Sequence, residues 1–223
     1  MTPPRRLNAA AILCALAAVA ATAFAASREP GYSASVTPGL MARYEQRFGA
    51  GVRGRIDGWK AFITSTAGQP ALLDPVNAFF NRVPSTTDAS IWNVEEYWAT
   101  PAEMLSINGA DCEDYAIAKY YALKELGIPV NRLRMVYAKQ AQTTEAHMVL
   151  AYYPEPRADP LILDILDGTI RPASRRPDLT PVYSFNDDDL LLVQPGKASV
   201  RVDNFSNRKW KELLEKLGRE LAH

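Results

Sequence analysis

Three side chains in this chain have the types and the order of a nucleophile, a base and an orienter. Cys112 lies in the stretch Gly109-Ala110-Asp111-Cys112-Glu113-Asp114-Tyr115, which reads as the first turn of a helix. Downstream come His147 and Asp164, each on a predicted strand. The thiolate is the reactive form of a cysteine, so a catalytic thiol needs help to ionise. The free N–H groups and the dipole at a helix N-terminus favour an anion, and a neighbouring imidazole can take the proton. The chain has two histidines, and the other is the C-terminal His223, which leaves His147 as the base. Asp164 stands among Leu161, Ile162, Leu163 and Ile165, where a carboxylate is costly unless paired. A bond to His147 would satisfy it and set the imidazole tautomer. Without Cys112, the bland readings are a core histidine beside Met148, Val149 and Leu150, and an edge-strand aspartate facing water.

Asp111, Glu113 and Asp114 complicate this picture. Like charge near a thiol opposes its ionisation. Two readings stay open. The carboxylates cap the helix and face solvent, or they bind a hard cation, for which their oxygens suit calcium. Their spacing is not that of an EF-hand loop. For an oxyanion hole, the Cys112 backbone N–H is the natural first donor. Trp92, Trp98 and Asn108 are candidates for the second, with core packing the competing reading of both tryptophans.

Composition narrows the class. Of the 223 residues, 25 are basic and 25 acidic. Arg5-Arg6, an apolar run over 9–21 and Ala23-Phe24-Ala25 predict a signal peptide over residues 1–25. The apolar run is shorter than a membrane span needs. Losing Arg5 and Arg6 lowers the basic count from 25 to 23 against 25 acids, a net charge of −2. No basic patch with interleaved aromatics points to nucleic acid, and no membrane span is expected in the mature chain. Cys14 falls inside the signal, so the exported chain keeps one thiol, Cys112. An odd cysteine in an oxidising compartment is a reactive group, an intermolecular bridge or an inert buried residue.

The elements that must hold these residues follow from periodicity. Residues 26–38 read as an extended lead-in. Helices are expected over 39–48 and 56–66, separated by Gly49, Gly51 and Gly54. A third helix follows, capped by Asp74 with Pro75 at its first turn and Val76, Phe79, Phe80 and Val83 on its apolar face. Residues 84–90 read as a polar loop, then Trp92, Val94, Tyr97 and Trp98 make a largely aromatic cluster. Thr100-Pro101-Ala102-Glu103 is a capping box. The central helix spans 112–126 behind Asp111, with Ala116, Tyr120, Leu123 and Leu126 on one face, and ends at Gly127 and Pro129. The period then becomes two. Strands are expected over 133–138, 147–153 and 161–166, with an irregular loop over 171–181 and short strands over 182–185 and 190–193. Asp167 reads as a turn residue. A last helix, capped by Ser206, places Trp210, Leu213, Leu214, Leu217 and Leu221 on one face. Helices first and strands afterwards predict one α+β domain over 26–223.

At this point Asp111-Cys112-Glu113-Asp114, His147-Met148-Val149-Leu150 and Leu163-Asp164 together resemble the bacterial transglutaminase-like cysteine peptidases, in particular the periplasmic LapG-type proteases that release biofilm adhesins. The resemblance runs from about Trp92 to Leu192 and takes in Thr100-Pro101, the helix after Cys112 and the loop Arg171-Pro172-Ala173-Ser174-Arg175-Arg176-Pro177-Asp178-Leu179. It implies a papain/transglutaminase-like fold with a nucleophile-bearing helix on an antiparallel sheet. It implies Cys112, His147 and Asp164 as the triad, and Asp111, Glu113 and Asp114 as carboxylates serving calcium-dependent activity. The implied substrate is a large surface adhesin, cut in its N-terminal region. The implied inhibitory partner is an inner-membrane receptor for cyclic-di-GMP. One position departs, since Ile165 follows Asp164 where LapG-type chains are expected to carry Asn. Two rival functions stay open: acyl transfer to an amine, as in a transglutaminase, and a non-catalytic calcium-binding interaction module.

Overall fold

Caps and breakers place the helices of the first half. In the computed structural model, which describes residues 31–143, 145–193, 199–202 and 207–222, a short α1 (Tyr32–Ser35) precedes α2 (Pro38–Phe48). Thr37 accepts the Leu40 N–H to start α2, and Gly49, at φ 90°, ends it. Next come α3 (Gly51–Thr66) and α4 (Leu73–Phe80). Gly51 and Gly54 therefore lie inside α3 and separate nothing. Burial of Val52, Ile56, Trp59 and Ile63 outweighs the weak helix propensity of glycine. Helix α4 starts ahead of Asp74, which sits in its first turn and is not its cap. The expected polar loop over 84–90 contains a helical turn, α5 (Asp88–Ile91), with Asp88 buried. Both halves of the Thr100–Glu103 capping box form at the start of α6 (Pro101–Ile107), an arrangement worth about 1 kcal/mol.

Helix α7 (Cys112–Glu125) is buried almost all round, from Tyr115 through Leu123. A single apolar face was the expectation; a helix covered on all sides is the core of its domain. Helices α1, α4 and α6 cover it on one side and the sheet on the other. Among the described residues the sheet has seven strands, β1 (Leu133–Gln140), β2 (Ala146–Tyr152), β3 (Leu161–Leu163), β4 (Arg171–Pro172), β5 (Leu179–Phe185), β6 (Leu190–Leu192) and β7 (Val200–Arg201). All pairs are antiparallel, in the order β4-β3-β2-β1-β5-β6-β7. Alternation divides the strands. Met148 and Leu150 join the main core, while Val149, Ala151, Val136 and Ile162 form a smaller apolar cluster. The nominal loop over 171–181 carries β4, a 3-10 turn and the start of β5. Its Arg and Pro side chains hide short stretches that pair through the backbone.

The last helix, α8 (Arg208–Leu221), is capped by Asn207, which accepts the Trp210 N–H. Ser206 lies outside the described residues, as do the predicted signal peptide, Cys14 and His223. Trp210, Leu213 and Leu217 face the core, whereas Leu214 and Leu221 are exposed. Among the described residues no helix is long and apolar enough to cross a membrane.

Candidate active site and carboxylate cluster

His147 enters from β2, opposite Ala138 of β1, and is almost wholly buried. Its Nε2 lies 2.7 Å from Asp164 Oδ1. Asp164 follows β3 directly and is not inside a strand, as the apolar run suggested. Its position is held from several sides. Asn81 donates to its carbonyl (2.8 Å), the Leu166 N–H donates to Oδ1 (3.1 Å), and Arg176 Nη2 donates to Oδ2 (2.6 Å). Burial works against the Asp164 charge. The His147 contact, Arg176 and the Leu166 N–H outweigh it and hold the carboxyl at about 2. An ionised Asp164 can only accept, so Nε2 of His147 is a donor to it, which leaves Nδ1 as the ring nitrogen that can take a proton. Arg176 is itself buried and also grips Asp178, so the Asp164 carboxylate is one member of an ion-pair chain.

The pairing sets a stability test. Replacing Asp164 with Asn removes one of the two carboxylates paired with the buried Arg176 guanidinium and leaves Asp178 as the other; the lost charge pairing costs about 2–3 kcal/mol at neutral pH. The folded-state value of about 2 lies below the ordinary carboxylate value of about 3.9. The stabilisation is therefore full above about pH 4 and is lost as pH falls through about 2. Thermal unfolding of the two proteins should show a wide gap at pH 7 that closes toward pH 2. A gap independent of pH would mean that packing, not charge, carries the effect.

Cys112 is the first residue of α7 and lines a cavity of about 420 Å³ together with His147, Glu113, Trp98, Tyr137 and Tyr183. Tyr137 and Tyr183 are cross-strand partners with rings stacked 4.8 Å apart. The structure thus brings thiol and imidazole to one cavity, but the thiol donates to Glu113 Oε2 (3.2 Å). Burial pushes the thiol up, and the Glu113 charge adds to this, while the Met148 N–H works the other way. Of the three candidate second donors, Trp98 lines the cavity, its indole N–H bonded to Glu96 (2.9 Å). Trp92 stacks on Tyr97, and Asn108 caps the end of α6 in a left-handed conformation.

The acidic residues do not face solvent. Asp111 holds the N-cap position of α7, yet its side chain makes no capping bond. It turns instead toward Glu113 and Asp88, and oxygens of all three lie within 4.8 Å of one another. Asp114 stands beside them, fully buried, with Oδ1 accepting the Ala99 N–H (2.7 Å). Asp88 Oδ1, Asp111 Oδ1, Glu113 Oε1 and Asp114 Oδ2 are all buried without a hydrogen-bond partner. Burial and then mutual repulsion push Asp111 up to about 9 and Glu113 up to about 8, and raise Asp114 well above the carboxylate range. A buried all-carboxylate set with orphaned oxygens fits a hard divalent cation.

Asp88 and Arg176 escape a reading of the sequence. Asp88 comes from a stretch with no periodicity. It reaches the cluster because residues 84–86 pair with Ala110, where Thr86 N–H donates to the Ala110 carbonyl (2.8 Å). Gly109 permits that approach, since a Cβ there would stand 2.8 Å from the Thr86 methyl. Arg176 sits among other arginines, and nothing local marks it as the buried one. An unpaired carboxylate in an apolar run was the available signal, because such a group calls for a cation as well as a histidine.

A profile of the bacterial transglutaminase-like cysteine proteinases matches residues 55–177. No curated protein sequence matches the chain. Among solved structures, Legionella pneumophila LapG in its EGTA-treated form is 39% identical, with a TM-score of 0.70 over 80% of this chain and 96% of that one. A second structure of the same protein gives 38% and 0.69 over the same shares. Its calcium-bound form gives 38% and 0.68, covering 80% and 97%. With the helix-on-sheet architecture they share, these matches place the chain in the bacterial transglutaminase-like cysteine proteinase family, as a cysteine peptidase.

Proposed function

We propose that the protein is a calcium-dependent cysteine endopeptidase of the periplasm that cuts the N-terminal region of a large surface adhesin and so controls biofilm release. Cys112 is the nucleophile, His147 the base and Asp164 its orienter. The carrying observation is the buried chain from Arg176 through Asp164 to His147, which ends in the cavity that Cys112 lines. Asp164 fixes the Nε2–H tautomer, and Nδ1 removes the Cys112 proton. The sulfur attacks the peptide carbonyl carbon. The oxyanion is met by the Cys112 backbone N–H at the free start of α7. The imidazolium protonates the leaving amine, which leaves a thioester on Cys112. His147 then deprotonates a water, whose attack releases the acid and restores the thiol.

Asp88, Asp111 and Glu113, with Asp114 beside them, would hold the calcium, which when bound neutralises the carboxylates around the nucleophile. The orphaned oxygens and the calcium-bound Legionella relative support this assignment. Export rests on the N-terminal charge and apolar pattern. An inner-membrane cyclic-di-GMP receptor is the inhibitory partner in this reading, which rests on the resemblance. The test is incubation of an adhesin N-terminal fragment with the mature protein and a fluorescent amine. Peptide release without amine incorporation is expected. Incorporation without release would assign acyl transfer to an amine, and neither reaction would favour an interaction module.

A further inference from the structure

A short extended segment, residues 96–99, runs between α8 and the carboxylate cluster, and its peptide groups are used from both ends. The carbonyl of Glu96 accepts Lys209 Nζ (2.6 Å), and the N–H of the same peptide unit, on Tyr97, donates to Asp88 Oδ2. Two residues on, the pattern repeats. The carbonyl of Trp98 accepts Lys216 Nζ, and the N–H of that unit, on Ala99, donates to Asp114 Oδ1 (2.7 Å). Each peptide is thus clamped between an ammonium and a carboxylate. Both bonds are charge-assisted, and each polarises the peptide so as to strengthen the other. Lys216 is further fixed by Glu103 (3.2 Å) and by the Tyr97 ring, whose centroid lies 3.7 Å from its Nζ.

We propose that Lys209 and Lys216 of α8 are positioning residues for the cation site, acting through the 96–97 and 98–99 peptides to aim Asp88 and Asp114. The inference rests on reading the carboxylate cluster as a calcium site. Each clamped carboxylate spends one oxygen on its peptide and leaves the other buried and unpartnered, that of Asp88 beside Asp111 and Glu113 and that of Asp114 next to this group. Without the lysines the segment is free to slide, and its N–H groups no longer fix which oxygen faces inward. Helix α8 thereby becomes part of the metal site although it supplies no ligand. Its docking does not depend on the lysines, since Glu220 accepts hydroxyls from Tyr32, Tyr44 and Thr100, and Trp210, Leu213 and Leu217 are buried.

The sign of the effect separates this from simple electrostatics. Removing a positive charge near a cation site should tighten calcium binding by Coulomb's law. Loss of the positioning bond should instead weaken it by about tenfold, the size of one charge-assisted hydrogen bond. Calcium titration by calorimetry of wild type, Lys216→Met, Lys216→Arg and Lys209→Ala, with melting curves in EGTA as the fold control, decides. Weaker binding in Lys216→Met and Lys209→Ala, partial recovery in Lys216→Arg and no change in Lys211→Met, on the exposed side of α8, are expected. Equal or tighter binding in folded Lys216→Met and Lys209→Ala would overturn the inference. Wild type that binds no calcium would instead remove the reading on which it rests.

Discussion

Cys112→Ala should lower kcat/KM for peptide cleavage by at least about 10³-fold, the scale set by loss of a triad nucleophile, while its melting temperature stays close to that of wild type. The two halves of this expectation have separate grounds. The loss of activity follows because Cys112, the free cysteine among the described residues, stands in the same cavity as His147. Stability has little to lose, because the side chain is only partly buried and its hydrogen bond reaches a carboxylate already crowded by its neighbours. His147→Ala should cost about as much activity, and the double variant little more, because groups that act as a unit are not additive. Steady-state cleavage with melting curves on the three variants checks this. Cleavage within tenfold of wild type in Cys112→Ala would remove the cysteine mechanism.

Much of the site was legible because its residues are scarce. With one cysteine beyond the predicted signal peptide, one internal histidine and one carboxylate in an apolar run, few other combinations could supply a nucleophile, a base and an orienter. The fold was legible where local signals agree, as at Thr100–Glu103, where both capping bonds form, and at β1 and β2, where alternation decides the period. The misplacements share a cause: contacts distant in sequence. Gly51 and Gly54 are helical because α3 buries Trp59 and Ile56 against other elements. Asp88 belongs to the cluster through a bridge between residues 85 and 110. Arg176 is buried by its pairing with Asp164, twelve residues before it. Helix α7 reads as one-faced from its sequence, yet nearly every side is covered. Propensity and spacing report the near neighbours of a residue, and these four depend on far ones.

Removal of calcium should have the other large effect, on stability and activity together. At a hundredfold excess over Kd, a ligand that binds the folded state alone stabilises it by about 2.7 kcal/mol. For a chain of this size that is roughly 5–10 °C in melting temperature. Activity should fall with it, because uncompensated carboxylates bear directly on the thiol: Glu113 accepts its hydrogen bond, and burial with that charge keeps the thiol protonated. A substitution gives the sharper form of the test. In EGTA, Asp111→Asn should melt above wild type at neutral pH, since Asp111, pushed up to about 9 by burial and its acidic neighbours, must take up a proton on folding and an amide need not. In saturating calcium the order should invert, since the same change removes a ligand. Asp88→Asn should behave alike, because Asp88 shares the 4.8 Å group with Asp111 and Glu113. A crossing of the two melting orders requires a cation bound by these oxygens. Parallel curves, with activity and melting temperature unmoved by EGTA, would leave the cluster as a set of protonated core acids, with burial the reason they stay neutral.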